Sequence, residues 1–309
     1  MNFGSIDPVL LIASLMVAAT PIVLAALGEL VVEKSGVLNL GVEGMMITGA
    51  ICGFAVATET GSPLAGFAAA ALGAMLLSLV FGLLTQVMLS NQVATGLALT
   101  LFGLGISALI GQDYIGVKPP RTQPIDFGGL GDLPLLGPVL FNHDWVVYLS
   151  LFMVFATGFF LNRTRAGLVL RACGENHDAA HAIGIKVVRI RLAAIAFGGA
   201  CAGLGGAYLS LVRVPQWTEG MTAGAGWIAL AIVVFGAWRA GGVLLGAYLF
   251  GGMTVLQLNL QAAGVALPVE YLSMSPYLIT IAVLVVMSAR RRTRLAAPAA
   301  LGRVFHASS

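Results

Sequence analysis

Long apolar runs, separated by short polar stretches, fill nearly the whole of this chain. They lie near 8–28, 40–58, 63–89, 92–112, 145–162, 189–212, 224–238, 241–262 and 275–289, and predict about nine helices, with eight and ten as bounds. A helix needs about 20 mostly apolar residues to cross a hydrocarbon layer of about 30 Å. The expected fold is therefore an all-α integral membrane protein. One stretch interrupts the pattern: Gly28 to Gly44 carries Glu29, Glu33, Lys34, Asn39 and Glu43. Charge against lipid is costly, so a broken or re-entrant segment buried in protein is expected near 28–44.

Composition strengthens this reading. Of 309 residues, 59% are hydrophobic and only 9% charged, and the mean hydropathy is +0.96. A water-soluble domain carries about 25% charged residues. Forty glycines suit membrane helices, where small residues let backbones approach. Cys52, Cys173 and Cys201 are scattered without CxxC spacing and read as small buried hydrophobes. Met1 to Asp7 lacks the basic start of a cleavable signal, so the first run is expected to remain as a span.

Basic residues orient the chain. Arg163, Arg165, Arg171, Lys186, Arg189 and Arg191 share one loop, and Arg290, Arg291, Arg292, Arg294 and Arg303 lie in the tail. With Lys34 and Arg239, thirteen of the 16 basic residues fall on one face, which the positive-inside rule makes cytoplasmic. Lys118, Arg121 and Arg213 fall opposite. A membrane domain over 1–294, with a cytoplasmic loop at 163–188, is thus followed by a cytoplasmic tail at 295–309. The Ala-rich stretch after Arg294 is expected to be loosely ordered. The opposite-face stretch 113–144 is rich in Pro and Gly and should be irregular or carry only short turns.

The triplet Glu43-Gly44-Met45 recurs as Glu219-Gly220-Met221, each copy leading into small residues and an apolar run. The two runs leave opposite faces, which suggests an inverted repeat around a central path. Glycines four apart, Gly199 with Gly203, Gly220 with Gly224 and Gly242 with Gly246, predict close helix packing.

Enzyme chemistry is missing. No G-x-x-x-x-G-K-[ST], G-x-S-x-G or H-E-x-x-H occurs, so no phosphate cradle is encoded, no catalytic residue is assigned, and no cofactor is implied. His177 and His181 are four apart but have no third ligand nearby, so no metal is assigned. His143 and His306 stand alone. The run from Arg163 to Lys186 holds something else. Asn176 is a good N-cap, Asp178 complements the helix dipole and Gly184 is a good terminator. Between them a two-turn helix, His177 to Ile183, is expected, with Ala179, Ala182 and Ile183 as a small apolar face. A helix this short needs support from elsewhere, and a smooth capped face suits docking into a groove of a cytosolic partner.

These residues carry a resemblance. The loop RTRAGLVLRACGENHDAAHAIGIKVVRIR is similar to the coupling-helix region of ABC importer permeases of the branched-chain amino acid, ribose and nucleoside superfamily. TPIVLAALGELVVEKSGVLNLGVEGMMITGA, NQVATGLALTLFGLG, GPVLFNHD and SLVRVPQWTEGMTAGAGWIALAIVVFG resemble the nucleoside, or simple-sugar-like, branch. The resemblance implies a multi-pass subunit of a bacterial inner membrane. Its implied partners are a second homologous permease, a cytosolic ABC ATPase and a substrate-binding lipoprotein of the basic-membrane-protein type. Membrane lipid surrounds it, and nothing addresses nucleic acid. Carried over by position, Gly174, Glu175, Asn176, Ala179, Ala180, Ile183 and Gly184 form the coupling helix, and ATP hydrolysis belongs to the partner.

A nucleoside path needs amides, a few carboxylates and aromatic surface. Asn39, Glu43, Asn91, Gln92, Glu219 and Trp227 are the candidates, with Trp217, Gln257 and Asn259 as further polar or aromatic positions. Each has a plainer role open to it: Asn91 and Gln92 as a helix cap, Trp217 as an interface anchor, Glu43 as a structural hydrogen-bond acceptor. Two rival readings are a permease for ribose or another simple sugar, and an ion-coupled secondary transporter with Glu43 as its proton site.

Overall fold

The computed structural model describes residues 8–134, 136–263, 268–288 and 297–306. Among the described residues, seven helices are long and apolar enough to cross a membrane. They are α1 (Pro8–Lys34), α2 (Val42–Thr60), α3 (Pro63–Gly82), α4 (Gln92–Gly111), α5 (Trp145–Arg163), α8 (Val187–Tyr208) and α10 (Ala240–Ala262). Two shorter helices, α6 (Arg165–Glu175) and α7 (His177–Ala182), lie between α5 and α8. The apolar helices α9 (Ala225–Phe235) and α11 (Val269–Ser288) complete the order. All nine predicted runs are helical, and one of them is too short for a span. At 11 residues α9 rises only roughly 16 Å, about half a hydrocarbon layer.

The interruption expected over 28–44 is present but confined to 35–41, where the chain is largely buried. Helix α1 runs unbroken through Glu29 and Glu33 to Lys34, and only the next few residues leave helical geometry. Its acidic side chains avoid lipid because α1 is buried in the bundle, where Glu29 and Glu33 are almost wholly covered. A second irregular stretch, 214–224, precedes the short helix α9.

Helices α1 and α8 form the centre. α8 packs along α1, α2 and α3, while α1 also carries α10, α9 and α5. Small residues permit this. A Cβ at Gly206 would strike the Met46 carbonyl of α2, and one at Gly203 the Ala70 carbonyl of α3. Without a hydrophobic force between helices in lipid, such close van der Waals contact supplies much of the cohesion. Gly199 and Gly203 do set close packing, and Gly246 fits against Ile232 and Phe235 of α9. Gly220 and Gly224 serve a different need, with φ of 66° and 86° in the turn before α9, a region that glycine enters without strain. The outer faces of α3, α4 and α5 expose Leu76, Leu101 and Phe155, as a lipid-facing surface requires.

The stretch 113–144 holds only short turns, at Gln112–Tyr114, Gly128–Leu130 and Gly137–Phe141, with a single bridge from Pro124 to Asp144. The tail departs from its expected looseness. Residues 297–306 fold back onto the bundle: the Ala300 amide donates to the Gly174 carbonyl at 2.9 Å and the Gly302 amide to the Gly36 carbonyl at 3.1 Å.

Candidate functional site

Two regions bring the sequence-selected residues together. The first is inside the bundle, where α9 begins against α2. Glu43 stands in the first turn of α2. Its Oε1 accepts from the Thr222 hydroxyl at 2.5 Å and the Gly224 amide at 2.9 Å, and its Oε2 accepts from the Gly226 amide at 2.7 Å. These donors surround the start of α9, where the first amides of a helix have no internal partner and its dipole favours an anion. A carboxylate from a distant helix thus caps a half-helix. Gly226 is required at this approach, because a Cβ there would meet the Glu43 backbone at 2.5–2.6 Å.

The far end of α9 is tied as well. The Trp238 indole N–H donates to Glu33 Oε2 at 2.5 Å, so α9 runs from the start of α2 to the last turn of α1. The irregular stretch before it is held at Trp217, which packs beside Phe54 with ring centroids 6.5 Å apart and close against Gly111. The Glu43 and Glu219 triplets are consequently not equivalent. Glu43 is buried in a helix, whereas Glu219 is exposed in the turn before α9.

Asn39, Asn91 and Gln92 lie where the turn between α1 and α2 meets the start of α4. Asn39 Oδ1 accepts the Gly41 amide at 2.9 Å and its Nδ2 lies 3.4 Å from Met45 Sδ. Asn91 caps α4 through the Ala94 amide. Gln92 Oε1 accepts the Leu38 amide at 2.9 Å, while its buried Nε2 has no hydrogen-bond partner among the described residues. Trp227 on α9 is 50% exposed. Of the six path candidates, Asn91, Glu219 and Trp227 are exposed, and Gln92 retains an unused donor. Asn39, Glu43 and Asn91 are engaged with this chain's own backbone. A cavity of about 560 Å³ lies elsewhere, between α5, α6 and α8 over Val31 of α1. Its walls are Met153, Phe160, Val169, Ile190 and Phe197, with Arg165 as its one charged member, so it does not offer the polar lining of a solute path.

The second region is the basic end of the bundle. Thr164 caps α6 through the Gly167 amide, and Asn176 caps α7 through the Ala179 amide at 3.0 Å. Gly184, at φ 88°, ends α7. The expected two-turn helix is therefore present, one residue shorter. Asn176, Ala179, Ala182, Ile183 and Gly184 face outward, with Ile183 77% exposed. Ala180 differs from its neighbours in facing inward, at 3% exposed, onto Cys173, Val187 and Phe305. Gly174 is also interior, its α-carbon against the Lys34 carbonyl, and exposed Glu175 receives the Ala299 amide at 3.4 Å.

Beneath α7 lies Arg191, counted in the sequence only as part of the positive cluster. It is fully buried and, among the described residues, has no carboxylate partner. Its guanidinium donates to the carbonyls of Ser35 and Arg303, to Gln86 Oε1 and to His177 Nδ1, at 3.2–3.3 Å. Donation to Nδ1 requires that nitrogen to be unprotonated, which leaves the imidazole proton on Nε2, 3.7 Å from Asp178 Oδ1. Burial, reinforced by Arg191 and Arg303 and opposed by Asp178, holds the His177 pKa below the ordinary imidazole value. Phe305 lies edge-on to His177 and His181 at 5.4 and 5.3 Å. His177 and His181 thus enclose an aromatic ring. The available signals in the sequence were the last arginine of a basic cluster, at the edge of an apolar run, and a phenylalanine in the tail, neither of which names its partner.

The architecture is that of a polytopic permease, a membrane bundle with a short apolar helix, α9, packed into it and a short capped helix at its basic end. Residues 11–286 match the family model described as branched-chain amino acid transport system / permease component, and the chain belongs to that family. It is 42% identical over 307 residues to a protein of Haloferax volcanii provisionally named as a glucose ABC transporter permease, covering 92% of this chain and 93% of the relative. It is 31% identical to a guanosine ABC transporter permease of Bacillus subtilis, over 88% and 90% of the two chains. A nucleoside ABC transporter permease of Lactococcus lactis is 28% identical, over 89% and 91%. No solved structure matches. The chain is a transport subunit of an ABC importer, and the ion-coupled reading is set aside.

Proposed function

We infer that this chain forms the membrane path of an ABC importer for nucleosides, driven by a separate cytosolic ATPase that docks on α7. The observation that carries the reading is the exposed Ala179, Ala182 and Ile183 face on a capped helix at the basic end of the bundle. The positive-inside rule makes that end cytoplasmic, within reach of an ATPase that the chain itself does not encode. Gly174, Glu175, Asn176, Ala179, Ala180, Ile183 and Gly184 then build the coupling element, with the outward members meeting the ATPase and Gly174 and Ala180 seating it. A second permease and a substrate-binding lipoprotein complete the importer.

The relatives named for guanosine and nucleoside transport support the solute class. The exposed Trp227 indole supplies a face on which a base could stack, and stacking on aromatic side chains suits every base. A monosaccharide is the second reading, favoured by the relative named for glucose. Uptake by the assembled importer of labelled guanosine, uridine, ribose and glucose separates the two. Nucleoside uptake is expected; uptake of a sugar alone would replace the first reading with the second.

A further inference from the structure

We propose that residues 297–306 are a strap that holds α7 in its docking position, with Phe305 as the clasp and Arg191 as the positioning residue that joins α7 to the feet of α1 and α3. This rests on the reading of α7 as the ATPase-docking helix.

A six-residue helix cannot hold itself in water, so its order must come from what lies beneath it. Two of its side chains, His177 and Ala180, are buried. The largest apolar side chain under them is Phe305, which is 5% exposed and lies in a cluster with Cys173, Ala180 and Val187. The strap is fastened along the residues that lead to that ring. Ala299 and Ala300 donate to Glu175 and Gly174 of α6, Gly302 donates to Gly36 just past α1, and the Arg303 carbonyl accepts from Arg191. Arg191 in turn holds Ser35, Gln86 and His177. One guanidinium therefore joins α8, the ends of α1 and α3, α7 and the tail. A push on the outer face of α7 reaches the central helices through this group and through Phe305.

The groups facing His177 are Arg191 from α8, Arg303 from the strap and Asp178 from α7, with Phe305 covering the ring. A neutral acceptor between two arginines satisfies Arg191 without introducing an acid that would compete for it.

The test uses the full importer, assembled with its ATPase, carrying Phe305→Ala, Phe305→Leu, Arg191→Gln or Ile183→Asp, or truncated after residue 296. Amide hydrogen exchange over 177–183 and ATP hydrolysis are both read. Phe305→Ala, Arg191→Gln and the truncation are expected to accelerate exchange in α7 at least tenfold, leaving α2 and α4 unchanged. They should lower kcat for ATP hydrolysis at least fivefold with KM for ATP unaltered, since ATP binds in the partner. Phe305→Leu should restore both toward the parent. Unchanged exchange over 177–183 in Phe305→Ala, or an unchanged kcat despite faster exchange, would overturn the proposal. If the truncated chain does not assemble, the two point variants decide. Ile183→Asp separates the two claims: retained ATPase association in that variant refutes docking on α7, whatever the strap variants do.

Discussion

The Glu43 carboxylate of α2 accepts the Gly226 amide at the start of α9 at 2.7 Å, across 183 positions of sequence. With Thr222 and Gly224 on its other oxygen, this acid joins the first half of the chain to the short helix α9. Glu43→Ala would leave three donors unmet, at about 1–3 kcal/mol for each that water cannot reach. The purified chain should melt several degrees lower, with Glu43→Gln between it and the parent because an amide keeps one accepting oxygen. A Glu43→Ala melting point equal to the parent's would remove the cap from the account.

Close approach of α8 to α2 makes a second prediction. Gly206→Ala directs a methyl at the Met46 carbonyl, a backbone atom that cannot rotate away. Overpacking of this kind costs about 1–3 kcal/mol. Gly105, on the exposed face of α4, has open space around it, and Gly105→Ala should be neutral or slightly stabilising, within about 1 kcal/mol. Folded yield from membranes and melting temperature measure the contrast.

The two faces of α7 should respond differently to charge. Ile183→Asp alters a side chain that is 77% exposed and should change stability by no more than about 0.5 kcal/mol, while ATPase co-purification falls at least tenfold. Ala180→Glu forces a carboxylate into the cluster of Cys173, Val187 and Phe305. It should therefore increase proteolysis between 174 and 186 even without an ATPase.

Acidity acts on the same helix. His177 is held neutral by burial and by Arg191, so the unfolded chain takes up its proton first as pH falls. The contribution to stability is complete above the ordinary imidazole value of about 6.5. It is lost as pH drops below that value through the lower folded-state value. Hydrogen exchange over 177–183 should accelerate as pH falls through this window, after correction for intrinsic rates. His177→Gln, which can still accept from Arg191, should flatten that dependence.

Much of this protein was legible from one dimension. Hydropathy marked nine helical runs because, in lipid, backbone groups must be satisfied within the segment itself, which makes local apolar length diagnostic. Asn176 and Gly184 announced α7 for a similar reason, since caps act within a few residues. Ala180 and Ile183 could not be told apart as inward and outward, because the orientation of so short a helix is set by its support. That Glu43 would meet Gly226, that α1 would continue through two buried acids, and that an Ala-rich tail would return to seat Phe305 against His177 were decided only in three dimensions. Each depends on a long-range pairing, and a charged or aromatic residue in the sequence states a need for partners without saying where the fold will supply them.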